Sequence, residues 1–127
     1  MEYRYRELTH AIIGCAMQVH RTLGAGFPEV VYQRSLALEL QVAGIAFQRE
    51  LVMPLFYRGQ EVGARRADFL VEKTVLVELK AVSEIVPLHH QQIINYLKAY
   101  QLHVGLLLNF GETSLQFKRF VQTSLQP

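Results

Sequence analysis

Asp68 is the only aspartate in a chain of 127 residues. It lies in the strand-like run Arg66-Ala67-Asp68-Phe69-Leu70-Val71, upstream of Glu78 in a second run, Val75-Leu76-Val77-Glu78-Leu79-Lys80. Aspartate is depleted in strands, and a charge inside an apolar sheet is costly unless something compensates it. A divalent metal would do so, because carboxylate oxygens are hard ligands suited to Mg²⁺ or Mn²⁺. Lys80, two residues beyond Glu78 on the same side of the strand, would then reach a water or phosphate oxygen held there. A cation beside a water activated at a metal is a known route to phosphodiester hydrolysis. The pattern D…ExK is short and common, however. A half-exposed amphipathic strand with a Lys80 to Asp68 salt bridge accounts for the same residues without chemistry.

Whether the two acids meet depends on the hairpin between them, since strand side chains alternate and a one-residue slip reverses every one. With Glu72, Lys73 and Thr74 as the loop, Val71 opposes Val75 and Asp68 opposes Glu78. Phe69, Val71, Val75, Val77 and Leu79 then share an apolar face, while Asp68, Leu70, Leu76, Glu78 and Lys80 occupy the other. A two-residue loop would mix both faces and part the carboxylates. The first register is the expected one.

The elements that must carry this hairpin follow from periodicity. Leu8, Ile12, Ala16, Val19 and Leu23 recur at helical steps and predict a helix over 7–23, ended by Gly24 and Gly26. Pro28 opens a second helix that runs to Gly44. Ala46–Tyr57 reads as a strand in which Pro54 argues for an edge or a bulge. After a turn at 58–61 come strands at 62–71 and 75–81, a helix at 87–102, and strands at 103–109 and 115–121. The order is α-α-β-β-β-α-β-β, an α/β fold with a mixed sheet flanked by helices. No repeat, linker or low-complexity tract divides it, so one domain over 1–127 is expected.

Composition narrows the class. Half of the residues are hydrophobic, enough for a core without staples. Cys15 is alone, which excludes an internal disulfide and a cysteine-rich zinc site. Charged residues crowd the beginning of the chain, and no run approaches the roughly 20 apolar residues of a membrane span. A soluble, cytoplasmic protein is expected. The formal charge of +2 is far from that of a protein that coats nucleic acid. Nine arginines against four lysines mildly favour bidentate contacts to carboxylate or phosphate. His10, Cys15 and His20 are five apart on a helix and cannot converge on one ion. Adjacent His89 and His90 diverge.

The sequence resembles the PD-(D/E)XK nuclease superfamily, and within it the bacterial and archaeal branch known as GxxExxY proteins. Gly26-Phe27-Pro28-Glu29-Val30-Val31-Tyr32 matches the naming motif. The similarity continues through Arg66-Ala67-Asp68, Val77-Glu78-Leu79-Lys80-Ala81, Gln92 to Lys98, and Gly105 to Gly111. The resemblance implies a restriction-endonuclease-like core and a metal-dependent site. By it, Asp68 and Glu78 are metal-binding acids, aided by the Leu79 carbonyl, and Lys80 is the catalytic lysine. Glu29 is the acid contributed by an early helix, and Gln92 and Tyr96 form a Q-x-x-x-Y element. Ala67 replaces the superfamily's usual proline before the aspartate.

Plainer explanations exist for the supporting residues. Glu29 suits a helix N-terminus whatever its role, and Gln92 and Tyr96 share one helix face as a packed polar edge would. Arg65 and Arg66 are both candidates for a phosphate, and Arg66, on the face of Asp68, is preferred. The leading expectation is hydrolysis of DNA with Mg²⁺ or Mn²⁺, in repair or defence. The alternative is a non-catalytic nucleic-acid-binding or protein-interaction module in a larger assembly. A small nuclease with limited basic surface would gain from a second copy, so a homodimer is expected.

Overall fold

The structure is a computed structural model that describes residues 2–122. Helix α1 (Glu2–Leu23) begins five residues before the apolar stripe makes it legible and stops where Gly24, at φ 73°, donates its N–H to the His20 carbonyl at 2.8 Å. Helix α2 (Glu29–Val42) starts after Pro28, whose extended backbone caps it. Strands β1 (Phe47–Tyr57), β2 (Gln60–Val71) and β3 (Val75–Lys80) follow. Helix α3 (Pro87–Ala99) then leads to β4 (Val104–Asn109) and β5 (Gln116–Val121). The element order is the expected one. Helix α3 ends short of Leu102 because Gln101 turns left-handed (φ 55°) and the Leu102 N–H returns to the Leu97 carbonyl at 2.9 Å.

The strands form one sheet in the order β1-β2-β3-β4-β5. Only β3 and β4 pair in parallel, across the α3 crossover. Pro54 lies on the edge strand β1, where its missing N–H costs no ladder bond, and a register shift follows between Leu55 and Phe56. Val71 pairs with Val75, the register expected for a loop of Glu72, Lys73 and Thr74. Glu72 and Lys73 are both left-handed, at φ 50° and 59°, the twist that suits a tight hairpin.

Two cores sandwich the sheet. On one face α1 and α2 supply Ile12, Ala16, Tyr32, Leu36 and Leu40, which pack on Phe69, Val71, Val77, Leu79 and Phe110. On the other face α3 supplies Ile93 and Leu97 against Ala67, Leu76, Leu107 and Phe120. Among the described residues no helix is long and apolar enough to cross a membrane.

One polar clamp fixes the exit of β3. Asn109 is fully buried. Its Oδ1 accepts the N–H groups of Val82 and Gly111 at 3.0 and 3.1 Å, and its Nδ2 donates to the Val82 carbonyl and to Glu112 at 3.0 and 2.9 Å. All four hydrogen-bonding capacities of the amide are used, so the group is stable in an apolar setting. Gly111 is required beside it, because a Cβ there would sit 2.2 Å from the Val82 carbonyl oxygen. Backbone atoms cannot swing away as a side-chain tip can. Gly111→Ala should therefore cost about 3 kcal/mol of stability by urea denaturation, and an unchanged midpoint would refute the clamp.

Candidate active site

The site lies where β2 and β3 part. Their ladder runs from Val71↔Val75 to Phe69↔Val77 and goes no further, although both strands continue. Beyond it the carboxylates replace backbone carbonyls as acceptors. The Asp68 N–H donates to Glu78 Oε2 at 3.2 Å, and the Leu79 N–H donates to Asp68 Oδ2 at 2.8 Å. Each acid thus holds a backbone N–H of the other strand. The two expected partners are brought together, and their like charges repel unless a cation intervenes.

Asp68 also accepts a hydrogen bond at Oδ1 from Gln33 Nε2, 2.8 Å away on α2. Gln33 is buried, and its Oε1 has no partner. Glu78 is buried and pairs through Oε1 with Arg65 Nη2. The Arg65 guanidinium also lies 5.0 Å from the Tyr96 ring centroid on α3. Sequence reasoning missed Gln33 and preferred Arg66 to Arg65. A signal for Gln33 was present, since it follows Glu29 by four residues and so shares its helix face.

Arg66 is exposed, and Arg65 takes the inward place. The cause is a break in alternation at Asp68. Ala67 packs in the α3-side core and Phe69 in the α1/α2-side core, whereas residues two apart on a regular strand share a face. Opposite the break, Glu50 adopts φ 53°, and the Glu50 and Asp68 positions drop out of the β1–β2 ladder between Arg49↔Phe69 and Leu51↔Ala67. Counting faces through Asp68 therefore gives the wrong arginine.

Lys80 ends β3, and among the described residues its ammonium makes no ion pair, so the Lys80 to Asp68 bridge is not formed. Its charge is felt by Glu29 and by His89. Glu29 opens α2 at the rim of the site, where partial burial and then the charge of Asp68 raise its pKa against the opposing pull of Lys80 and Arg65. His89 caps α3, its Nδ1 accepting the Val86 N–H at 3.2 Å. Gln92 and Tyr96 are half-buried on α3, with Tyr96 against Arg65. The side chain of Leu79 is in the core. His20 and His90 serve packing instead, His20 bonding the Glu112 carbonyl at 2.9 Å and His90 meeting Phe120 edge-on.

A profile of the PD-(D/E)XK nuclease superfamily matches residues 6–120. The chain belongs to that superfamily. PD-(D/E)XK proteins are generally phosphodiesterase nucleases that use divalent metals. The crystal structure of SSO0001 shares the fold, with a TM-score of 0.56 and 18% identity over 72% of this chain. The chain spans 48% of that protein's length. No curated protein matches the sequence significantly.

The residues fit a divalent cation. Two repelling carboxylates lie together, and the amide that bonds Asp68 carries the unpartnered buried oxygen Gln33 Oε1. Among the described residues no three acid, histidine or cysteine side chains cluster, so water or phosphate oxygens would complete the shell. Magnesium ordinarily keeps several waters, bound through one or two carboxylates.

Without metal, the pKa of Glu78 is pushed up to about 7, first by burial and then by Asp68, with Arg65 and the Asp68 N–H pulling it back. Its ordinary value is 4.5, so the folded state holds this proton more tightly than the unfolded chain does. That contribution is complete below the ordinary value and is lost as pH rises through about 7. Metal-free protein should lose up to a few kcal/mol between about pH 5 and pH 8 through this group, and Glu78→Gln should flatten the slope. Chemical denaturation across that window decides it, and identical slopes in both proteins would refute the assignment.

Proposed function

We propose that this PD-(D/E)XK protein is a metal-dependent deoxyribonuclease, of the GxxExxY branch its motif resembles, acting on DNA in repair or defence. One observation carries the reading. Asp68 and Glu78 meet at the parting of β2 and β3, with the unpaired ammonium of Lys80 two residues along the same strand.

Asp68, Glu78 and the Leu79 carbonyl would hold Mg²⁺ or Mn²⁺. The ion, when bound, would polarise the scissile phosphate and acidify the attacking water. The chain's own groups do the rest. Lys80 donates a hydrogen bond toward the attacked phosphate and offsets charge that develops there. Gln33, fixed by its bond to Asp68, offers Oε1 as an acceptor that would orient a water. Glu29 at the rim completes the acidic outer ring. Gln92 and Tyr96 border the substrate side on α3, and Arg65 and Arg66 lie on the strand that leads into the site. A homodimer would double the basic surface available to a duplex, and the protein would work in the cytoplasm of a prokaryote.

Cleavage of labelled DNA and RNA forms in Mg²⁺ and Mn²⁺ tests the proposal. Wild type should cut DNA, while Asp68→Asn and Lys80→Ala should each lose at least about 100-fold. Calorimetric titration should find a Mn²⁺ site that Asp68→Asn abolishes. Wild type that binds no Mn²⁺ and cuts no more than Lys80→Ala would end the nuclease reading.

A further inference from the structure

The cation now beside Glu78 is a guanidinium. We infer that Arg65 is a built-in placeholder for the divalent ion, neutralising Glu78 until metal arrives and then turning its charge toward a nucleic-acid phosphate. The inference rests on the nuclease reading above.

Glu78 is 5% exposed at its side chain and lies against Asp68, so in the absence of metal its ionised form needs a counter-charge. Lys80 does not supply it. Arg65 does, from a side chain that is 30% exposed and so has an open way out.

The geometry is that of an exchangeable partner. A permanent buried bridge engages the fork of a guanidinium in two parallel bonds and satisfies its other donors. Arg65 reaches Glu78 through Nη2 alone, and its buried Nε has no partner. The Tyr96 ring, 5.0 Å from the guanidinium, attracts it independently of Glu78 and would retain it once the carboxylate is taken. A divalent ion on Glu78 and a guanidinium on the same oxygen repel one another, so binding of one releases the other. The released arginine then sits on the α3 side of the site, next to Tyr96, with its charge unspent.

Mn²⁺ affinity, read from the spin-resonance signal of the free ion, tests the first half on folded wild type, Arg65→Ala and Arg65→Gln. Loss of the competing charge should tighten Mn²⁺ binding on the order of tenfold in both variants. Arg34→Gln, the same loss of charge at an exposed position, should stay within about twofold, since exposed charges are screened. If Arg65→Ala fails to fold, Arg65→Gln, which can still donate to Glu78, carries the comparison. Folded Arg65 variants that bind Mn²⁺ no more tightly would overturn the placeholder role.

The second half is read from duplex DNA binding in Ca²⁺ as a function of salt. Arg65→Gln should lower the magnitude of the log–log salt slope by about one, the signature of one lost phosphate contact. An unchanged slope would overturn the hand-over to phosphate. Wild type that binds no Mn²⁺ at all is a different failure, since it removes the nuclease reading from beneath the inference.

Discussion

Everything at this site depends on a crossed pair of hydrogen bonds, in which each of two carboxylates takes a backbone N–H from the strand that bears the other. In an ordinary antiparallel ladder those donors would go to carbonyls. Here the strands part after Phe69↔Val77, and the acids replace the missing carbonyls. The exchange settles two problems together. Buried N–H groups keep their partners, as they must, and the carboxylates are held by backbone instead of by flexible neighbours. The remaining difficulty is charge, because two acids so close repel one another in a setting that screens weakly. The fold relieves it with the Arg65 guanidinium and, as pH falls through about 7, with a proton on Glu78.

The rest of the fold can be understood as holding that crossing still. The loop before α2 is tied by Tyr32, whose buried hydroxyl donates to the Gly24 carbonyl at 2.5 Å and accepts the Phe27 N–H at 3.2 Å, while its ring stacks on Phe110 at 4.6 Å. Gly26, at φ 109°, lets the chain make the turn. Two of the three residues that define the Gly-Glu-Tyr motif are thus architectural, since they set the start of α2, from which Glu29 and Gln33 face the acids. On the far side, Phe110 also belongs to the segment that Asn109 and Gly111 clamp to Val82. A single stacked aromatic pair therefore couples the helix that brings Gln33 to the loop that fixes the end of the Lys80 strand.

Much of this was legible in the sequence because it rests on period and register. The apolar alternation in Phe69, Val71, Val75 and Val77 admits one hairpin loop, and that loop alone sets Asp68 against Glu78. Pro54 and Gly24 mark an edge and a helix end for reasons confined to their own backbone. What escaped was what depends on departures from regularity. Arg65 instead of Arg66 follows from the break at Asp68, and its backbone cause is a left-handed glutamate on the neighbouring strand, Glu50. No rule of residue type predicts a positive φ at a glutamate. Gln33 escaped because glutamine carries no charge to draw notice, although its spacing from Glu29 pointed the right way. Asn109 and Gly111 were seen as parts of a motif, yet their work as a clamp is a long-range matter of which backbone passes nearby.

The charge arrangement also bears on a protein of formal charge +2 whose superfamily acts on a polyanion. Around the site Glu78 pairs with Arg65 beside Asp68, and Glu29 at the rim feels Asp68, Lys80 and Arg65, three formal negative charges against two positive. In that state the pocket has a small negative excess, which does not invite a phosphate. A divalent ion turns the excess of one negative charge into one positive charge, and it does so where a phosphate would need to enter. Under the proposed nuclease reading, local attraction for a phosphate would follow from metal occupancy and not from a broad basic surface, since fields within a partly buried site are screened less than those across open solvent. On this view the modest overall charge is no argument against a nucleic-acid substrate: the charge that matters would be supplied by the ion, in the place where Arg65 now pairs with Glu78.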